Sequence, residues 1–490
     1  MAQPLNLVFS FVSLLGVVAA QGYGSGSSCS NTLKPAYPAP SLAPGFEAQL
    51  VATNLTKPRG IMFDTQGRLL VVQSGYGLTS LQLNDGGGGC VSVNSSHDVV
   101  VDSSLNHGIE MTADGRTLYA SNPEAVYAWS YDPSTGSTTS SNSSIITGMS
   151  TSDHTTRTLL LSKKVNGTLI VTRGSTANID PIAEAITSGH SQVKSFNLLN
   201  QTHTYNFDSD GRLLGWGLRN DVGVDEEPLA GGIYTVENSV DQMNRSGVDI
   251  HENNPGEELN FLGYLNGTTY AQQGANFGYP TCFTAWNVSA IPNNTGLQLG
   301  SPFAIGDLNS TNNDASCASG TVAPRLTFQA HMAPLDILFN PAGTTAWVTF
   351  HGSWDRTQPS GYKLGAVSFA TGSPTEPSNS STALVDVMTN ADNSNCPDQC
   401  FRPVGLAWDS KGRLFMSSDS TGEVWVVTES SGNGTASATP TAGPGAGSGS
   451  GTSGGGGLAS SSPVKGGAWT GRERCSIGMC VVALVAALLI

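Results

Sequence analysis

Basic side chains are few. Lys and Arg number 22 against 37 Asp and Glu, so the surface is acidic and lacks the positive footprint that nucleic-acid phosphates require. Helical periodicity is almost absent from the chain, which turns attention to strands. No Cys-x-x-Cys-His motif occurs, so the sequence offers no covalent haem attachment. The apolar tail from Cys480 to Ile490 is too short to span a bilayer comfortably.

What is present divides the 490 residues into parts. Residues 1–20 are mostly apolar and end in Val18-Ala19-Ala20, the small residues a signal peptidase requires before a cut, although Lys and Arg are missing from their start. Residues 21–44 lead into a body at 45–430. Residues 431–467 are rich in Gly, Ser and Thr and are expected to be a disordered linker, because they cannot bury enough apolar surface to offset ordering. The small residues Gly466, Gly467 and Ala468, a polar spacer and the terminal apolar tail make 468–490 resemble a GPI-anchor signal. An extracellular, surface-anchored protein is therefore expected. Of eight cysteines, Cys475 and Cys480 lie in that tail and six remain, an even number that suggests disulfides in an exported chain. Neighbours along the sequence suggest 29–90, 282–317 and 396–400, with other pairings open. Sequons at Asn54, Asn142, Asn266 and Asn379 fit a glycosylated surface.

One phrase recurs through the body: a polar or basic residue, a short apolar run, a turn with Asp or Gly, then an alternating apolar strand. The clearest copies start at Pro58-Arg59, Asn106-His107 and Arg402-Pro403, and weaker ones at His154, Arg219 and Pro334. Each reads as two strands joined by a tight turn. Six copies predict an all-β, six-bladed β-propeller, a ring that leaves no long strand edge exposed. A pair of β-sandwiches is the competing architecture, but it does not explain six copies of one phrase. In a propeller the residue ahead of each inner strand points at a shared pocket. Here those residues are Arg59, His107, His154, Arg219 with Asn220, and Arg402. Cations gathered at one place in an acidic protein suggest an anionic ligand.

Several phrases resemble the soluble pyrroloquinoline quinone (PQQ) glucose dehydrogenases, the sorbosone-dehydrogenase-like proteins and, most of all, the fungal PQQ-dependent pyranose dehydrogenases. They are Ser152-Asp153-His154-Thr155-Thr156-Arg157, Gly217-Leu218-Arg219-Asn220, Glu257-Glu258-Leu259-Asn260, Gly274-Ala275-Asn276-Phe277-Gly278-Tyr279-Pro280 and His351-Gly352-Ser353-Trp354-Asp355-Arg356. The resemblance implies that His154 is the catalytic base and that Arg219 and Asn220 hold the cofactor. It also implies that Arg402 pairs with a PQQ carboxylate, with His107 and Arg59 as further cofactor contacts. Lys363 stands for a family lysine near the cofactor, with Arg356 competing for that role. Calcium is implied at backbone carbonyls near Asn238, Ser239 and Val240, although the Gly-Pro pair of the bacterial enzymes is missing there.

Elementary chemistry agrees. Guanidinium forks match the carboxylates of PQQ, and calcium suits carbonyl and quinone oxygens. Oxidising a sugar hemiacetal requires a base for the anomeric hydroxyl proton, a task for an imidazole with a pKa near neutrality. Asp153 is expected to orient that ring or raise its basicity. The implied reaction converts aldoses or keto-aldoses in pyranose form to lactones and passes electrons to a separate acceptor, such as a haem protein or a copper oxygenase. A metal-dependent propeller lactonase or hydrolase and a non-catalytic surface propeller remain as alternatives.

Overall fold

A computed structural model describes residues 33–438 and 440. The expected signal peptide, Cys29, most of the linker and the anchor signal lie outside the described residues. Six sheets follow one another along the chain, as the six repeats predict. Their inner strands are Pro58–Phe63, Ile109–Met111, Leu159–Leu161, Asp221–Glu226, Pro334–Phe339 and Pro403–Trp408. Each pairs antiparallel with the strand that follows it: Leu69–Gln73, Thr117–Ser121, Thr168–Arg173, Gly232–Glu237, Thr345–Phe350 and Leu414–Ser418. The fold is a six-bladed β-propeller.

The ring closes through chain ends. Phe46–Ala52 is the outermost strand of the sixth blade, antiparallel to Glu423–Glu429, with Phe46 opposite Glu429 and Leu50 opposite Trp425. The apolar core is divided among the blade interfaces. Leu70, Val72, Leu118 and Trp129 join blades one and two, and Tyr119, Ile146, Leu169 and Phe196 join two and three. Similar clusters fill the next four interfaces and end with Val424, Phe415, Leu69 and Val71 between blades six and one. Alternation along each strand therefore buries both faces, one against each neighbouring blade.

Around the central channel, polar side chains stitch neighbouring inner strands together. Glu110, Asp225 and Asp336 accept the N–H groups of Leu161 (3.1 Å), Phe339 (2.7 Å) and Leu406 (2.7 Å), each in the next blade. The hydroxyls of Ser121, Thr349 and Ser417 donate to the carbonyls of Arg157, Val404 and Arg59, each at 2.6 Å. Inner strands here are too splayed to form a ladder with one another, so side chains satisfy their backbone groups.

Two of the three suggested disulfides are present, Cys282–Cys317 and Cys396–Cys400. Cys90 is disulfide-bonded, while Cys29 lies outside the described residues. The first residues of the expected linker are a correction. Thr435 is fully buried, Asn340 Nδ2 donates to the Ala436 carbonyl at 2.9 Å, and Thr345 Oγ1 donates to that of Ala438 at 3.2 Å. Small residues ordered themselves here because blade five supplies polar partners. Asn54, Asn142, Asn266 and Asn379 are all exposed. Among the described residues no helix is long and apolar enough to cross a membrane.

The stitching carboxylates give stability a pH dependence. Burial pushes Asp336 up to about 8 and Glu110 up to about 7, and burial likewise raises Glu257 to about 7. These groups keep protons in the folded state that they lose on unfolding. Their contribution is full at acid pH and is lost as pH rises through the folded values. The imidazoles that burial depresses oppose this only near the ordinary histidine value, by about 0.4 kcal/mol each at pH 6.5, where the unfolded rings are half protonated. We expect stability to fall between about pH 6.5 and 8.5 by at least about 1.4 kcal/mol, the worth of one pKa unit. Denaturant midpoints across that range check it, and a flat or rising profile contradicts it.

Candidate functional site

Every inner strand starts at the same mouth of the ring, and every following strand ends there. Two networks of side chains result.

The first joins blades one, two, five and six. Arg59 Nη1 contacts Asp419 Oδ2 at 2.6 Å, and Arg59 Nε donates to His107 Nδ1 at 3.3 Å. The other Asp419 oxygen lies 2.8 Å from His351 Nε2. Arg402 donates from Nε to the His351 carbonyl (3.0 Å) and from Nη2 to that of Gly352 (2.9 Å), with its guanidinium 5.6 Å over the Tyr362 ring. Burial and Arg59 push His107 well below the usual histidine range, and burial and Arg402 push His351 down to about 4. Burial opposes ionisation of Asp419, but His351 and Arg59 outweigh it and hold the carboxyl well below the usual range. Both imidazoles are thus neutral between fixed cations. Among the described residues Arg59 Nη2 and Arg402 Nη1 have no hydrogen-bond partner, and His351 Nδ1 is buried without one. Unused guanidinium donors fit a planar polycarboxylate such as PQQ, while the bare His351 Nδ1 could only accept from an N–H or O–H of a ligand.

The second network joins blades three, four and five. His154 Nδ1 lies 3.1 Å from the Ser175 carbonyl and 2.8 Å from its Oγ. A carbonyl only accepts, so this bonding assigns the proton to Nδ1 and leaves Nε2 bare. Burial and the Arg219 charge lower His154 to about 3. Arg157 is fully buried and donates to the carbonyls of His154, Thr156 and Met149, which pins the loop. Asp153, expected to orient the ring, makes no hydrogen bond to it; Ser175 has that role. The imidazole expected near neutral pKa is instead kept neutral far below it. A Cβ on Gly174 would meet Asn220 Oδ1 at 2.5 Å and His154 Cβ at 2.7 Å, so only glycine lets these two approach.

Arg219 uses all its guanidinium nitrogens on the protein. Nε and Nη2 donate to the Asn178 carbonyl (3.2 Å) and Oδ1 (2.8 Å), Nη1 to the carbonyls of Asn238 (3.2 Å) and Ser239 (2.6 Å), and Nη2 lies 3.2 Å from Asp241 Oδ2. The Ser239 carbonyl, expected to face calcium, thus faces a guanidinium. Val240 packs in an apolar cluster with Met243 and Phe283. A calcium ion on the Ser239 oxygen would sit against a fixed positive charge, so the carbonyl set as placed does not fit it. Lys363 pairs with Asp386 at 2.6 Å on the outer strand of its own blade, and with none of the other candidates. Arg356 bonds to the Glu252 carbonyl.

Sequence reasoning missed Ser175, Asn178, Asp241, His331, Asp355 and Asp419. A usable signal existed for two key positions. His351 directly follows the second strand of blade five and Asp419 that of blade six, and antiparallel pairing returns both to the mouth where the inner strands begin.

The chain matches the TrAA12-like family over residues 40–430. It is 46% identical over 433 residues to a protein of Hypocrea jecorina (strain QM6a) named pyrroloquinoline quinone-dependent sugar dehydrogenase, covering 87% of this chain and 97% of that one. A pyrroloquinoline quinone-dependent pyranose dehydrogenase of Coprinopsis cinerea is 38% identical over 428 residues, covering 83% of this chain but only 56% of the relative. The chain therefore spans little more than half of that second protein. A calcium structure of Trichoderma reesei Carbohydrate-Active Enzymes Family AA12 superposes with a TM-score of 0.79 at 48% identity, covering 82% of this chain and all of the other.

The first network predicts a specific cost. Asp419→Asn removes the one carboxylate shared by Arg59 and His351 and leaves a buried cation unpaired, so the ligand-free protein should lose about 3 kcal/mol. Urea unfolding measures this; an unchanged midpoint means that the charge is not needed.

Proposed function

The chain belongs to the TrAA12-like family, and from that premise we propose that it is a PQQ-dependent sugar dehydrogenase. It oxidises the anomeric hydroxyl of aldoses or keto-aldoses in pyranose form to lactones. The observation that carries this reading is a pair of guanidiniums at the mouth, Arg59 buried and Arg402 half-buried, each with a donor that no protein group uses beside a neutral histidine. PQQ, when bound, supplies the hydride acceptor. Arg59 and Arg402 would hold its carboxylates, with His107 and His351 kept neutral by burial and the neighbouring arginines. Asn220 stands beside His154 at the same mouth. His154 takes the anomeric hydroxyl proton on Nε2, while Ser175 keeps the ring in that tautomer. Calcium is implied by the resemblance alone, because the Ser239 carbonyl as placed faces Arg219.

The same proposal extends to the protein's setting. It is an extracellular glycoprotein, held at the cell surface by a GPI anchor that replaces the terminal tail. Electrons pass to a separate haem protein or copper oxygenase. The signal-like residues 1–20, the sequons and the Gly466–Ala468 region followed by an apolar tail support this. Treatment of intact cells with phosphatidylinositol-specific phospholipase should release the protein; mass spectra that retain residues 475–490 would remove the anchor.

Two measurements test the chemistry. Calorimetry on PQQ-free protein should show tight PQQ binding, and Arg402→Ala should weaken it by about 1.5–3 kcal/mol, the worth of a charge-assisted hydrogen bond. Dye reduction with saturating PQQ and sugar should fall by about two to four orders of magnitude in His154→Ala, with PQQ still bound. Because the imidazole stays neutral to about 3, the wild-type rate should show no acid limb near the ordinary histidine value. A near wild-type rate in His154→Ala would move the base elsewhere, with His107 the next candidate.

A further inference from the structure

Beside Arg219 the loops that follow the second strands of blades four and five, and the loop entering blade five, bring three further ligand atoms together. His331 Nδ1 lies 3.7 Å from Asp241 Oδ1 and 3.4 Å from Asp355 Oδ1, and all three atoms fall within 4.8 Å of one another. The side chains of His331 and Asp355 are each only 4% exposed. Neither Asp355 oxygen makes a well-formed hydrogen bond, and the groups that face the carboxylate are the Gln242 N–H and, at 3.4 Å from Oδ1, His331 Nδ1. A buried, unpartnered carboxylate is costly unless something binds it. His331 Nε2 is 2.6 Å from the His251 carbonyl. A carbonyl only accepts, so Nε2 carries a proton and Nδ1 faces the two carboxylates, where a metal ion would take the place of the second proton that their charge favours. A backbone carbonyl on the far nitrogen is the usual way a metal-binding histidine is oriented.

We infer that Asp241, His331 and Asp355 bind one divalent metal ion through one nitrogen and two carboxylate oxygens. A tetrahedral ion at roughly 2.0–2.1 Å from its ligands separates neighbouring ligand atoms by roughly 3.3–3.4 Å, close to the two distances from His331, and the carboxylates would draw in around it. Arg219 neutralises the other Asp241 oxygen and leaves Oδ1 available. An imidazole in the set favours Zn²⁺ or Mn²⁺ over Ca²⁺, whose preference is for oxygen alone. The site therefore differs in both ligands and ion from a carbonyl site at Ser239.

The purified chain, free of PQQ and dialysed against Zn²⁺ or Mn²⁺ in the presence of excess Ca²⁺, should retain one such ion. Asp355→Asn and His331→Gln should each weaken retention by at least about tenfold, with unchanged circular dichroism. X-ray absorption at the zinc edge of the wild-type chain reads the imidazole and oxygen shell without relying on either variant. Retention of neither ion by the wild type, zinc without imidazole scattering, displacement by Ca²⁺, or equal retention in folded variants would overturn the site. No PQQ or sugar enters the experiment, so its failure leaves the dehydrogenase reading untouched.

Discussion

Six sheets in a row would leave one strand edge open at each end. Pairing of Phe46–Ala52 with Glu423–Glu429 converts the row into a ring, and the remaining geometry follows from it. Once the ring is closed, each blade has two neighbours, the second strand of every blade is buried on both faces, and the six inner strands start at one mouth. The interfaces are filled by separate apolar clusters rather than one central core, because the middle of the ring is a channel. Polar side chains reach across that channel wall to satisfy backbone groups that no ladder pairs.

Convergence at the mouth explains the electrostatics. An acidic protein gathers Arg59, Arg219 and Arg402 there, and their mutual repulsion in a poorly solvated space demands counter-charges. Asp419 and Asp241 provide two of them inside the fold. What remains unmatched is a set of guanidinium donors at Arg59 and Arg402, so affinity for an anion is a consequence of incomplete neutralisation. Burial, helped by the same field, keeps His107, His154 and His351 neutral. A neutral imidazole with a fixed tautomer is ready to accept a proton, although its low proton affinity demands that the substrate proton be acidified in the site.

Arg219 shows how the two networks differ. Its donors are all occupied by Asn178, Asn238, Ser239 and Asp241, so it acts as a cation built into the wall. It fills the position at the blade-four carbonyls where a bound ion was expected. A short way along the same loop, Asp241 turns its second oxygen toward His331 and Asp355 and offers a donor set of a different character.

The sequence by itself determined the blade count, the strand pairs and the identity of the residues ahead of each inner strand, because a repeated period-2 hairpin phrase is a local signal. It also carried the family likeness that points to His154, Arg59 and Arg402. Disulfides 282–317 and 396–400 were legible from proximity along the chain. Only the tertiary structure decided the partners. Ser175 instead of Asp153 orients His154, Asp419 pairs with Arg59 across 360 residues and with His351 across 68, and Lys363 turns outward to Asp386. Such pairings depend on which strand ends ring closure brings within hydrogen-bond distance, and that distance is a property of the closed ring, with no trace in the local pattern of either partner.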